Sequence, residues 1–97
     1  MEVYEVEDFK ISKLKDVNIG DDYFSDSDID LIKSTENLFS RWSGGNVSDA
    51  KDILVKNGYK VTEIDIEGND VIIVGYINKT EVEVWFKKET SYIALYF

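Results

Sequence analysis

A chain of 97 residues with 20 acidic and 11 basic side chains, a formal charge of -9 and 43% hydrophobic residues is long enough for one core and too short for two. It contains neither histidine nor cysteine, which excludes disulfide scaffolds, Cys/His zinc centres, haem ligation and Ser-His or Cys-His nucleophile pairs. The charge also opposes direct binding to nucleic-acid phosphates and to anionic membrane surfaces, since both depend on cationic side chains.

Residues 2–19 fit two periodicities, a helical stripe through Val3, Val6 and Phe9 and an alternating strand through Phe9-Lys10-Ile11; a strand over 2–14 is the expected form. Residues 20–27 are polar and rich in Asp, and they lead into a helix. Ser25 or Ser27 can cap it, Asp28 and Asp30 lie where the helix dipole favours anions, and Ile29, Ile32, Phe39 and Trp42 recur near helical spacing. Ser43-Gly44-Gly45 is the expected stop, because glycine accepts the left-handed conformation of a C-terminal cap. A second helix is expected over Ser48 to Asn57, capped by Asn46 or Ser48 and closed by Gly58, so that the middle of the chain reads as an αα-hairpin.

Beyond Gly58 the period changes to two. Ile64 and Ile66 alternate with Glu63, Asp65 and Glu67, and Gly68-Asn69 falls where a two-residue hairpin turn belongs. Val71 to Ile77, Glu81 to Lys87 and Ser91 to Phe97 are the next strands, with turns near Asn78-Lys79 and Lys88-Glu89-Thr90. In the strand from Glu81, alternation of Val82, Val84 and Phe86 with Glu81, Glu83 and Trp85 requires one buried and one open face. Val71 to Val74 and Tyr92 to Phe97 are apolar on both faces, and both faces need cover. The longest apolar run, Val71 to Ile77, is far short of the ~20 residues of a spanning helix. The amino terminus has neither a basic leader nor an apolar run, so a cytoplasmic location is expected.

Four constellations invite a functional reading. Asp26-Ser27-Asp28-Ile29-Asp30 has the opening spacing of a calcium loop, but the sixth position is Leu31 where glycine is needed and the twelfth is Asn37 where a bidentate Glu is needed. Capping and the helix dipole account for these acids better, and no metal site is expected. Ser43 to Ser48 is a glycine-containing loop before a helix, but it lacks the lysine of a phosphate loop and the preceding parallel strand. Trp42 belongs to the core stripe of its helix, whereas Trp85 shares a strand face with Glu81, Glu83 and Lys87 and is the better exposed anchor.

The fourth is the acidity itself, which is unevenly distributed: -7 over residues 1–30, +2 over 31–60 and -4 over 61–97. Solubility alone explains part of it. The functional reading is a face complementary to a basic protein surface, one able to compete with a nucleic-acid backbone. Its candidate residues are Asp21, Asp22, Asp26, Asp28, Asp30, Glu63, Asp65 and Glu67, with Trp85.

The expectation is therefore a single α+β domain spanning 1–97, an antiparallel sheet of four or five strands in a C-terminal meander packed against an αα-hairpin. No set of residue types and spacings specifies a reaction, so the chain reads as a non-enzymatic protein-binding module without cofactor or metal. The sharpest form of that reading is a small acidic inhibitor covering a basic surface of its target, a nucleic-acid-binding surface being one such case. The alternative is a structural protein that self-associates, as a homodimer or larger assembly, through the apolar strands.

Overall fold

Helix α1 (Asp26–Leu38) begins where its cap is complete. Ser25 Oγ accepts the backbone N–H of Asp28 at 3.3 Å, and the Asp28 carboxylate accepts that of Ser25 at 3.2 Å, so two of the donors left over at a helix start are satisfied reciprocally. A computed structural model of the chain describes residues 10–12, 14, 18–19, 25–68, 70–87 and 92–96; the expected turn at 88–90 and Asp21 and Asp22 lie outside them.

The helix ends at Leu38, earlier than the glycines at 44 and 45 suggest. Packing overrides the local stop signal. Phe39 leaves the helix 2% exposed, Trp42 follows it inward, and the two rings meet Phe86 edge-on at centroid distances of 5.4 and 5.7 Å. Gly44–Asn46 is not a bare turn but a strand, β3, pairing antiparallel with β1 (Lys10–Ser12). The strand expected over 2–14 is thus confined, among the described residues, to Lys10–Ser12, and it joins this separate ribbon rather than the main sheet.

The second helix, α2 (Val47–Lys56), follows β3 directly; Asp49 accepts the N–H of its N-cap Asn46 at 3.1 Å. Its end has a glycine for a specific reason. Gly58 sits at φ 92 while Gly58 N–H bonds the Val55 carbonyl and Tyr59 N–H bonds the Leu54 carbonyl, which closes the orphan carbonyls of the last turn.

The class is α+β. β4 (Lys60–Glu67), β5 (Asp70–Ile77) and β6 (Thr80–Phe86) form an antiparallel meander. β7 (Tyr92–Tyr96) pairs antiparallel with β6, and β2 (Asn18–Ile19) lies parallel to β7 over two residues, giving the order β2-β7-β6-β5-β4. Both helices cover one face of this sheet. Ile32, Phe39, Val47, Ala50 and Leu54 from the helical layer pack with Val71, Ile73, Val82, Val84, Phe86 and Ile93 from the strands. Gly75 lets β4 and β5 approach closely, since a Cβ there would stand 3.3 Å from the Lys60 carbonyl oxygen.

Among the described residues one polar side chain is wholly buried in this core: Thr35, whose hydroxyl donates to the Leu31 carbonyl at 2.8 Å and pairs with the Tyr59 phenol. Among the described residues no helix is long and apolar enough to cross a membrane.

Candidate functional site

The other face of the sheet is left uncovered by the helices. The strand register arranges its side chains in rows, because residues two apart on a strand share a face and their cross-strand partners stand level with them. Asp65, Ile72 and Trp85 form one row; Glu63, Val74 and Glu83 form the next; Lys60, Tyr76 and Glu81 form a third. Glu67 pairs with Asp70 at the end of the hairpin. Five carboxylates, Glu63, Asp65, Glu67, Glu81 and Glu83, line a shallow depression of about 330 Å³ whose floor is Ile72 and Val74 and whose rim includes Tyr76 and Trp85.

The floor is apolar, yet Ile72 is only 5% and Val74 only 8% exposed. Two of the flanking side chains are held in place. Trp85 Nε1 donates to Glu83 Oε1 at 2.8 Å, and the Tyr76 hydroxyl donates to Glu81 Oε1 at 2.7 Å. Lys87 Nζ stands 5.3 Å from the centroid of the Trp85 ring, within cation–π range.

Crowding of like charge leaves its mark on Glu63. Its carboxyl is pushed above the ordinary value of 4.5, first by a hydrogen bond with the Asp65 carboxyl and then by the Asp65 charge, with Glu81 and Glu83 adding to the repulsion. Tyr76 is raised from 10.0 by its hydrogen bond to Glu81 and by the charge of that carboxylate. The face therefore combines negative potential, a small apolar floor and two aromatic edges, a composition suited to a cationic partner surface.

Of the nine residues singled out from sequence, the seven that the structure describes divide between the two layers. Glu63, Asp65, Glu67 and Trp85 meet on this face. Asp26, Asp28 and Asp30 belong to the first turns of α1 in the helical layer, on the other side of the sheet, so they do not continue the same surface. Asp28 is engaged in the cap, and the helical course of 26–30 leaves no calcium-loop geometry there. Among the described residues no group of three or more carboxylates is arranged to hold a metal ion.

Tyr76, Ile72 and Val74 complete the face without having been singled out. The apolar run from Val71 to Ile77 has no visible alternation, so only the register with Glu81, Glu83 and Trp85 shows which of its residues point outward. No protein-family model, curated protein or solved structure matches the chain.

Proposed function

We propose that the protein is a non-enzymatic binding module, an acidic antagonist whose uncovered sheet face covers a basic surface of a partner protein, one that itself engages nucleic acid. One observation carries this reading: five carboxylates gather with Trp85 and Tyr76 around an apolar floor on the single sheet face that the helices leave open. Charge there favours encounter with a cationic surface and repels phosphates, while the aromatic edges and Ile72 supply contact area once the surfaces meet. The reading of the acids as solubility alone does not account for their convergence with tryptophan and tyrosine.

Self-assembly through the edge of β5, one of the two apolar strands, has less support. β5 has β4 on one side and β6 on the other, so its backbone groups are already engaged and it offers no edge to a second copy.

The test is capture of partners from lysate by the tagged protein and by the Glu81→Lys/Glu83→Lys variant, at low salt and at about 0.5 M salt, where the screening length falls to roughly 4 Å. A basic partner held by the native protein, released by salt or by excess DNA and absent from the folded variant, is the expected result. Equal capture by both proteins overturns it.

A further inference from the structure

β4 ends the strand order, and among the described residues no strand pairs with its second edge. Such an edge presents alternate backbone N–H and C=O groups to any extended chain that approaches it. Three features say which chain would fit. Glu63, Asp65 and Glu67 recur every second residue on the open face, so an added strand would place its own alternate side chains level with them. Ile64 and Ile66, which point to the core side, are only half-buried, and an added strand with apolar alternate residues would finish covering them. The register shift between Val61 and Glu63 interrupts the ladder, which limits the regular edge to Glu63–Glu67, about 17 Å at ~3.4 Å per residue.

Charge decides the occupant. A second copy pairing edge to edge would set carboxylates against carboxylates, which is unfavourable in a cross-strand pair, whereas lysine or arginine in those positions is favourable. We propose that β4 accepts, as an added strand, an extended basic segment whose lysine or arginine residues alternate with apolar ones and stand opposite Glu63, Asp65 and Glu67. The proposal rests on the outer face being the partner-binding surface, and it adds where and in what conformation the partner enters.

The probe is a peptide of about seven residues alternating lysine and valine, compared with the same peptide N-methylated at alternate amides so that it keeps its charge but cannot complete the ladder. Amide hydrogen exchange of the full chain by NMR reports on the edge, and titration reports on affinity. The expected result is slowing by about tenfold of those β4 amides that do not bond to β5, with affinity falling by about tenfold on N-methylation.

Equal binding of the two peptides without protection in β4 overturns the added strand while leaving charge-driven docking on the face intact. Binding of neither peptide also overturns it. The face itself is then judged by the Glu81→Lys/Glu83→Lys capture, because both of those residues lie on β6, two strands from the edge.

Discussion

Ile72 and Trp85 stand directly opposite each other on β5 and β6, and Ile72 is 5% exposed on the sheet face turned away from the helices. The indole shares that face as the cross-strand neighbour of Ile72 and is oriented by its hydrogen bond to Glu83. Trp85→Ala should therefore both destabilise the fold, by about 2 kcal/mol for the apolar area it uncovers, and remove the aromatic edge of the proposed docking face. Trp85→Phe should recover most of the stability. Urea unfolding of the two variants checks this, and an alanine variant as stable as the native chain would show that Ile72 is covered by other means.

The crowding around Glu63 has a definite sign in pH. Because its carboxyl is raised above 4.5 in the fold, the native state holds that proton more readily than the unfolded chain does. The stabilising contribution is full below the unfolded value and is lost as pH rises through the higher native value. At neutral pH the charged Glu63 is under repulsion from Asp65, Glu81 and Glu83. Glu63→Gln should accordingly unfold at a higher temperature than the native protein near neutral pH, with the gap narrowing as pH falls towards 4.5 and as salt is added. A gap independent of both would rule out charge repulsion as its origin.

Asp28 and Asp30 are close in sequence and carry the same charge, but only Asp28 closes the cap with Ser25. Asp28→Ala should cost about 1 kcal/mol of stability, whereas Asp30→Ala, at an exposed position, should remain within about 0.5 kcal/mol. Thermal unfolding separates them. Neither substitution should weaken partner capture, since both residues belong to the helical layer.

The parts of the fold that were legible in the sequence are those where local pattern and tertiary packing agree. Ser25 and Asp28 mark the start of α1, Asn46 and Gly58 bracket α2, and alternation from Glu63 to Glu67 and from Glu81 to Phe86 separates a buried from an open face. The misreadings arose where packing overrode local preference. Gly44 and Gly45 look like a helix stop, yet they form a strand because Lys10–Ser12 pairs with them, and Phe39 leaves α1 early to reach Phe86. Convergence of Glu63 and Asp65 with Glu83 and Tyr76 depends on register across two hairpins, information that no single strand contains. Separation of Asp26, Asp28 and Asp30 from that face likewise follows only from which side of the sheet the helices cover.

The Thr35–Tyr59 pair ties α1 to the segment that leaves α2, and its chemistry gives an alkaline counterpart to Glu63. Thr35 is fully buried and Tyr59 is 5% exposed. Thr35 gives its only proton to the Leu31 carbonyl, so Tyr59 is the donor between them. Tyr59→Phe removes that donor but leaves Thr35 bonded to Leu31, and the expected loss is about 1 kcal/mol. Thr35→Val strands the buried phenol without an acceptor and should cost more, about 1–3 kcal/mol. Burial raises the Tyr59 phenol above 10.0. Its contribution is therefore complete below the unfolded value and disappears as pH rises through the native one, because the unfolded chain releases the proton first. In denaturant titrations the native protein should be more stable than Tyr59→Phe at neutral pH and lose that advantage above about pH 10, whereas an advantage maintained into strong alkali would mean that the phenol ionises as readily inside the fold as outside it.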